Sequence, residues 1–304
     1  MKILLTGSGG FLGQNLIPIL SEEHSVYGPR SSNWDLRHQR TCKELIAHTK
    51  PEVIVHAAGS VGGIGANQEN PGKFMYENLI MGANIIHAAK EYGVKKFVLL
   101  GTVCSYPKHT PVPFKEEYLW EGYPEETNAP YGIAKKTLMK MVETYNEQYG
   151  FNGVNLIPVN MYGPHDHFNL TSSHVIPALI LKVYNAMKNN EGCIILWGTG
   201  QVSREFLYAE DCGQAIKLAI EKDVPPSPIN IGTGKEIKIC ELASEIAEQM
   251  GFSGEIFYDS SKPDGQPRRC LDTNKAKELL GFEAKTSFQE GLKKTIEWFL
   301  RNNK

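Results

Sequence analysis

Residues 2–13, KILLTGSGGFLG, join a short apolar run to three glycines spaced as G-x-x-G-x-x-G, which lead into an amphipathic segment. Glycine lets the backbone turn tightly and approach a ligand closely. The N-terminus of a helix presents unpaired N–H groups and the positive end of the helix dipole to a phosphate. This strand–turn–helix order predicts a dinucleotide-binding unit at the start of the chain. The expected cofactor contacts there are Gly7, Gly10, Phe11, Leu12 and Gly13.

Short apolar runs alternate with longer segments of helical periodicity through the first half of the chain, as in parallel sheets covered by helices. Further strands are predicted at residues 25–28, 53–57, 96–101 and 153–159, and helices at 74–92 and 131–149. After Pro164 the chain becomes rich in Pro, Gly and His, which indicates a second lobe. We therefore expect an α/β fold, a Rossmann-type doubly wound parallel sheet with a smaller C-terminal α/β substrate lobe.

The predicted domain division is interleaved, because residues 206–220 and 229–232 have the pattern of elements that return to the first sheet. The predicted limits are 1–163 for the dinucleotide-binding domain, rejoined by about 205–232, and 164–204 with 233–304 for the substrate-binding lobe. Elements predicted in the second lobe are a helix from about residue 173, a strand near 194–197 and helices near 240–250 and 286–302.

Composition and charge exclude several classes of protein. The 32 Lys and Arg residues nearly balance the 34 Asp and Glu residues, and neither sign forms a block, so nucleic acid is not an expected partner. The first residues lack the apolar core of a signal peptide, and no run approaches the roughly 18 apolar residues of a membrane span. The six cysteines include no C-x-x-C pair, which is typical of a reducing compartment. We expect a cytoplasmic protein without membrane contact.

The end of the second predicted strand indicates which dinucleotide binds. An acid at this place holds the ribose 2′-hydroxyl of NAD, whereas a cation accepts the 2′-phosphate of NADP. Arg30 follows the strand and no carboxylate comes before Asp35, which favours NADP(H). The alternative is that Arg30 is a solvated surface cation. Ala57 and Ala58, at the end of the third predicted strand, are expected beside the same cofactor.

Tyr131 and Lys135 lie four residues apart and therefore on one face of a predicted helix. A lysine ammonium favours the phenolate, so we expect the pKa of Tyr131 to fall below its usual value of about 10. Thr102, after the fourth predicted strand, offers a hydroxyl to the same substrate oxygen. Together with the glycine turn, these residues resemble the Ser/Thr–Tyr–Lys group of the extended short-chain dehydrogenase/reductase family. The resemblance implies that Tyr131 donates a proton to a carbonyl, that Lys135 also binds the nicotinamide ribose and that Thr102 polarises the carbonyl.

Cys104 comes two residues after Thr102 in LLGTVCSYPK, residues 99–108. Open α/β sheets place their ligand crevice at this end of a strand, although a free cysteine is usually a small buried apolar residue. The segments NAPYGIAK (128–135), PVNMYGPHDHFNLTSSHVIPAL (158–179), ILWGTGQVSREFL (195–207) and SKPDGQPRRCLD (261–272) accompany it. Together they resemble the GDP-L-fucose synthase group of the same family over nearly the whole chain.

This resemblance implies an NADPH-dependent 3,5-epimerase-4-reductase acting on GDP-4-keto-6-deoxy-D-mannose. Cys104 and His174 would be the acid/base pair, and His174, with an ordinary pKa near 6.5, would need little tuning to donate a proton. A homodimer joined through residues 74–92 and 131–149 is also implied. The expected substrate contacts are Asn160, Lys182, Trp197, Arg204 and Arg268.

Several alternatives remain open from the sequence. Arg204 and Arg268 suit a diphosphate because guanidinium binds phosphate oxygens in a fixed fork, but a salt bridge between lobes is the other interpretation. Trp197 suits stacking on guanine or sugar as well as a core position. The loop His165-Asp166-His167 has too few ligands to predict a metal. Other activities left open are a C4 reductase or epimerase alone, a related GDP-linked deoxysugar or heptose as substrate, and a non-catalytic NADP-sensing protein.

Overall fold

The computed structural model describes residues 1–170, 172–262 and 264–303, and within them the largest sheet has six parallel strands. The strand order is β2-β1-β3-β4-β5-β9. The strands of the chain are β1 (Lys2–Thr6), β2 (Ser25–Tyr27), β3 (Val53–His56), β4 (Lys96–Leu100), β5 (Gly153–Pro158), β6 (Asn160–Tyr162), β7 (Cys193–Trp197), β8 (Ser203–Tyr208), β9 (Ile229–Ile231), β10 (Glu236–Lys238) and β11 (Glu255–Asp259).

Helices follow most of these strands and cover the sheet in two groups, α1 with α7 and α2 with α4 and α5. Their bounds are α1 (Phe11–Ser21), α2 (Gln39–Thr49), α3 (Ile64–Glu69), α4 (Pro71–Glu91), α5 (Ala129–Tyr149), α6 (Val175–Lys188), α7 (Ala209–Glu221), α8 (Ile239–Met250), α9 (Asn274–Leu280) and α10 (Phe288–Asn302). The predicted Rossmann-type α/β fold is confirmed.

The central strands of this sheet are continuous apolar runs because both of their faces are covered. Leu4, Ile54, Val98 and Leu156 on four neighbouring strands are fully buried. Since all the strands are parallel, their carboxyl ends meet at one edge. The glycine turn, the segment after β3 and the segment after β4 therefore emerge side by side.

The second half of the chain contributes to this sheet only in part. β9 pairs with β5 at the edge, as expected for residues 229–232. The expectation that residues 206–220 return to the same sheet is wrong for their strand, because β8 pairs with β6 and β10 in a separate three-stranded sheet. Only the helix that follows, α7, packs on the large sheet and on α1.

A second group of buried side chains lies around β6, β7 and β8. It includes Tyr162, Ile180, Phe206, Leu242 and Phe299, so α6, α8 and α10 contribute to it. The domain limits given above stay predictions. Among the described residues, no helix combines the length and the apolar character that crossing a bilayer requires.

Candidate active site

The glycine turn is packed so tightly against the end of β3 that side chains do not fit. Gly7 has φ +76°, and a Cβ built there would lie 2.6 Å from the backbone nitrogen of Ala58. A Cβ on Gly13 would lie 2.2 Å from the carbonyl oxygen of Gly7. The N–H of Gly10 donates to the same oxygen at 3.0 Å. The backbone of Ala57 and Ala58 therefore lines the turn.

Space is open in front of this turn. A Cβ on Gly9 would meet no atom within 4 Å, and Gly10, as the N-cap of α1, has no side chain to occupy the first N–H groups of the helix. Unpaired N–H groups at a helix N-terminus bind anions. The residues of the turn therefore fit the pyrophosphate of a dinucleotide.

Gly13→Ala and Gly9→Ala form a matched pair that tests this packing. We expect Gly13→Ala to lower the free energy of unfolding by about 1–3 kcal/mol and to weaken NADPH binding, because its methyl group would collide with backbone atoms. Gly9→Ala should leave both quantities near the unmodified values. Urea unfolding and fluorescence titration with NADPH measure the two effects, and equal losses in both variants would contradict the assignment.

Arg30 lies just beyond β2, beside the glycine turn. Ser8 Oγ donates to the carbonyl oxygen of Pro29 at 3.2 Å and so ties the turn to this strand end. The Arg30 side chain is exposed, so its guanidinium is accessible to a ligand bound along the turn.

The segment after β4 places Thr102 and Cys104 at the sheet edge. Thr102 caps the short 3₁₀ helix Val103–Ser105, and its Oγ1 accepts a hydrogen bond from the N–H of Cys104 at 3.2 Å. Helix α5 approaches this turn at Gly132, where a Cβ would lie 2.3 Å from the carbonyl oxygen of Cys104. Ser105 Oγ donates to the carbonyl oxygen of Gly132 at 2.9 Å. This contact brings the N-terminal turn of α5, and with it Tyr131, next to Thr102 and Cys104.

Tyr131 keeps its proton more strongly than an ordinary tyrosine. Burial raises its pKa, the charge of an ionised Cys104 acts in the same direction, and a hydrogen bond with Thr102 lowers it only in part. The expected lowering by Lys135 is therefore wrong, because desolvation of the phenolate dominates. Lys135 Nζ donates to the carbonyl oxygen of Leu100 at 3.0 Å, and burial lowers the pKa of Lys135 to about 8.

His174 precedes α6 as its N-cap. Its side chain is exposed to solvent, yet the surrounding protein lowers its pKa, and the charges of Arg269 and His167 add to this effect. Protein atoms thus surround a ring that solvent still reaches. The expectation that the pKa of His174 stays near its usual value is wrong, since burial and two neighbouring cations disfavour the imidazolium.

Arg269 lies at the centre of this group, a position that the sequence analysis missed. Its Nη1 is 3.7 Å from Cys104 Sγ and 3.3 Å from Asn160 Oδ1. The adjacent Arg268, predicted to contact substrate, instead forms an exposed ion pair with Glu236. Successive side chains of an extended segment point to opposite sides, so only one arginine of the pair can face the cleft.

Arg204 lies close to the same group. Its Nη1 donates to the carbonyl oxygen of Ser203 at 2.7 Å and its Nη2 to that of Asp264 at 3.2 Å. Burial lowers the pKa of Arg204 to about 9, and the charge of Arg269 acts in the same direction. Two neighbouring guanidinium groups in a cleft favour the binding of an anion.

Trp197 ends β7, and Lys182 on α6 reaches the same strand. Lys182 Nζ donates to the carbonyl oxygen of Ile195. Trp197 is 59% exposed, so it is not a core residue. The segment after it returns to Asp264, whose Oδ1 accepts from the N–H of Thr199 at 2.7 Å and whose carbonyl oxygen accepts from Arg204. Trp197 therefore stands near the rim on which Arg204 lies.

The loop His165-Asp166-His167 contributes one side chain to the cleft wall. The charge of His167 lowers the pKa of His174, so these two rings are neighbours. His165 instead packs against Trp298, with ring centroids 4.9 Å apart. The two imidazoles of this loop thus lie in different surroundings, which does not suit a shared ligand.

The structure therefore joins most of the predicted residues into two adjoining groups and leaves Arg268, Lys182 and Trp197 outside them. The first group surrounds the glycine turn and consists of Gly7, Gly10, Phe11, Leu12, Gly13, Arg30, Ala57 and Ala58. The second adjoins the segment after β4 and consists of Thr102, Cys104, Tyr131, Lys135, Asn160, His174, Arg204 and Arg269.

Known proteins resemble the chain over its full length. A GDP-L-fucose synthase from Sinorhizobium fredii is 41% identical over 302 residues, which cover 99% of this chain and 96% of that protein. A GDP-L-colitose synthase from Yersinia pseudotuberculosis is 39% identical over 308 residues, which cover 100% of both. The crystal structure of a GDP-L-fucose synthetase from Naegleria fowleri bound to NADP has a TM-score of 0.90 and 29% identity, covering 99% of this chain and 94% of that one.

A family model for NAD dependent epimerases and dehydratases matches residues 3–232, which include the glycine turn, Cys104, the Tyr131–Lys135 pair and His174. The extent of this match and the identity of the full-length relatives agree with the geometry of the two residue groups. The chain belongs to the NAD dependent epimerase/dehydratase family.

Proposed function

We propose that the protein converts GDP-4-keto-6-deoxy-D-mannose to GDP-L-fucose by 3,5-epimerisation and NADPH-dependent 4-reduction. The observation that carries this proposal is the meeting of Cys104, Tyr131 and His174 around Arg269 at the carboxyl edge of the sheet. A plain dehydrogenase needs the tyrosine and the lysine, but it has no use for a sulfur and an imidazole in the same cleft. The GDP-L-fucose synthase relative at 41% identity supports the substrate.

NADP(H) is the cofactor that this site fits. The glycine turn and the N-terminus of α1 accept the pyrophosphate, and Arg30 provides a cation at the end of β2 for a 2′-phosphate. When bound, NADPH supplies the reducing equivalent for C4 of the sugar. The NADP-bound structure of the Naegleria fowleri synthetase supports the same choice.

Epimerisation is assigned to Cys104 and His174. The protons on C3 and C5 are acidic because the C4 ketone stabilises the enolate that forms when either is removed. The Cys104 thiolate takes the proton from one face, and His174 returns a proton from the other face, which inverts the carbon. The lowered pKa of His174 opposes this role in the free protein. A GDP diphosphate near Arg269 and Arg204 offsets their positive charge and so favours the imidazolium.

Reduction is assigned to Tyr131, which donates its proton to the C4 oxygen. The raised pKa of Tyr131 suits this role because the phenol remains protonated at neutral pH. Thr102 lies in hydrogen-bonding contact with Tyr131 and polarises the same oxygen. Lys135, fixed by the carbonyl oxygen of Leu100, binds the nicotinamide ribose and holds it beside Tyr131.

Substrate binding is assigned to the rim of the cleft. Arg204 binds the diphosphate, because its guanidinium lies near Cys104 and guanidinium binds phosphate oxygens well. The exposed ring of Trp197 stacks on guanine or sugar. Lys182 and Asn160 complete the pocket. Arg268 is left out of this set because Glu236 already holds it.

A homodimer through α4 and α5 completes the proposal. The two helices pack side by side, and α4 leaves Met75 and Tyr76 exposed, at 39% and 61%. Two such pairs related by a two-fold axis would form an isologous four-helix contact. We place the enzyme in the cytoplasm because its cysteines are free.

Incubation with GDP-4-keto-6-deoxy-D-mannose and NADPH tests the whole proposal. We expect NADPH oxidation and a product whose proton couplings by NMR correspond to the L-galacto configuration. NADH should be a poorer reductant, because Arg30 gains a phosphate partner only from NADPH. A product inverted at neither C3 nor C5 would identify a C4 reductase alone. Faster turnover with NADH would contradict the cofactor assignment.

The GDP-L-colitose synthase relative, at 39% identity, supports a second candidate in which a GDP-linked colitose precursor is the substrate. The two candidates use the same catalytic groups, so the competing substrates must be compared directly. A kcat/KM at least about tenfold higher for the colitose precursor would favour the second candidate.

A further inference from the structure

Arg269 is a buried cation whose contacts are unusual. The residue is only 7% exposed. Its Nε donates to Gln266 Oε1 at 3.1 Å, and its Nη1 approaches Asn160 Oδ1 at 3.3 Å and Cys104 Sγ at 3.7 Å. The guanidinium thus contacts two neutral amide oxygens and the sulfur of Cys104.

Within residues 1–170, 172–262 and 264–303, no carboxylate forms an ion pair with Arg269. By contrast, Arg268 next to it is paired with Glu236. A buried charge without an opposite charge is costly. The cation therefore favours a negative charge on the group it touches, and that group is the sulfur of Cys104.

The amides that hold Arg269 are themselves fixed. Gln266 Nε2 donates to the carbonyl oxygens of Pro107 and Lys108, at 3.3 and 2.9 Å, on the segment that follows Cys104. Asn160 Nδ2 donates to the carbonyl oxygen of Glu205 at 2.9 Å. Both amides therefore present an oxygen to the guanidinium, which keeps Arg269 aimed at the sulfur.

Two other ionisable groups face Cys104. Tyr131 lies close enough for the sulfur's charge to act on its phenol, and Arg204 lies close enough to be influenced by the same charge. The neutral phenol adds no charge, and Arg204 donates its hydrogen bonds to the carbonyl oxygens of Ser203 and Asp264. Arg269 is therefore the cation in direct contact with the sulfur, while His174 faces the guanidinium.

We infer that Arg269 is a positioning residue for Cys104, because its guanidinium holds the sulfur in a fixed place and sets a positive charge against it. The inference rests on the proposed function for its catalytic meaning, since the thiolate is the base assigned to C3 and C5. A cysteine acts as an effective base or nucleophile only in its thiolate form. A neutral side chain at position 269 should thus reduce the reactivity of Cys104 even when no substrate is present.

Alkylation of Cys104 by iodoacetamide tests this directly in the intact protein. We expect Arg269→Met to slow the reaction about tenfold near pH 7.5, and to match the unmodified protein at about pH 10, where thiols ionise without help. Arg269→Lys keeps the charge and should stay within about threefold of the unmodified rate at both pH values. Arg268→Met removes a cation one position away and should leave the Cys104 rate unchanged.

Mass spectrometry of the Cys104 peptide separates this thiol from the others. Cys42, Cys212 and Cys270 are buried, and burial raises the pKa of each to about 12. Binding of NADPH to each variant shows that it is folded. An unchanged rate for Arg269→Met near pH 7.5, or an equal slowing at both pH values, would overturn the inference. The same slowing in Arg268→Met would also overturn it.

The alkylation result and the proposed function can fail separately. If the alkylation pattern holds but the GDP-ketosugar is not converted, Arg269 still sustains the thiolate and the proposed reaction is wrong. If the ketosugar is converted with full inversion but Arg269→Met alkylates at the unmodified rate, the reaction stands and the inference is wrong.

Discussion

Cys104→Ser is expected to slow the exchange of deuterium into C3 and C5 of the 4-ketosugar by about 10²–10⁴-fold, the usual contribution of a general base. The serine hydroxyl is close in size to the thiol, but it does not ionise near neutral pH. The exchange is followed by proton NMR in D2O with oxidised cofactor, so that reduction does not consume the ketone. NADPH binding should change little, because the glycine turn is untouched.

Cys193→Ser is the control for this experiment. Cys193 is also a partly buried free cysteine, but it lies at the start of β7. Its replacement should leave the exchange rate unchanged. Exchange at the unmodified rate in Cys104→Ser would remove Cys104 from the mechanism and reduce the proposed function to an oxidoreductase.

Tyr131→Phe is expected to lower the rate of NADPH oxidation by about 10²–10⁴-fold while deuterium exchange at C3 and C5 continues. The phenyl ring keeps the packing and removes the proton donor. NADPH absorbance gives the reduction rate, and NMR gives the exchange rate on the same sample. Loss of both activities together would show that Tyr131 also serves the epimerisation.

The pH dependence of the unmodified enzyme checks the state of Tyr131. Its pKa is raised above the usual value of about 10. The group therefore holds its proton throughout the neutral range and loses it only at a higher pH than an ordinary tyrosine. Reduction should show no decline from Tyr131 ionisation below about pH 10. A decline between neutral pH and that limit that is absent from Tyr131→Phe would contradict this assignment.

The large sheet could be predicted closely because its strands are determined by local pattern. The apolar run before the glycine turn forms β1, and the bounds of β3, β4 and β5 differ from the predicted ones by one residue. Strands buried on both faces are continuous apolar runs, and such runs can be recognised in a single sequence. The strands β6 and β10 could not be predicted, because each exists through its pairing with β8, a contact between segments that are distant in the chain.

One missed element did leave a signal. Helix α2 buries Cys42, Leu45, Ile46 and Thr49, which follow the i, i+3, i+4, i+7 spacing of an amphipathic helix. The pattern lies between the second and third strands, where a βαβ unit requires a helix. The helix was not predicted because its other face is exposed and polar, so the segment as a whole is not apolar.

Some residues of the candidate site could likewise be predicted from local sequence patterns, whereas others depend on contacts between distant parts of the chain. The glycine turn and the Tyr131–Lys135 pair could be found because each depends on spacing within one helix or turn. The choice between Arg268 and Arg269 could not be made, because it depends on which side of an extended segment faces the cleft. The pKa directions of Tyr131 and His174 also require burial, and burial comes from elements distant in the chain.

The absence of a side chain at Gly132 has a consequence for redesign. Because α5 touches the carbonyl of Cys104 at this point, the backbone segment that carries Cys104 and the helix that carries Tyr131 are in direct contact and cannot move independently. An engineer who wants a pure reductase can exchange the sulfur atom, but cannot move its backbone without also misaligning the phenol. Epimerisation and reduction can therefore be separated by replacing a side chain, but not by grafting a new loop at Cys104.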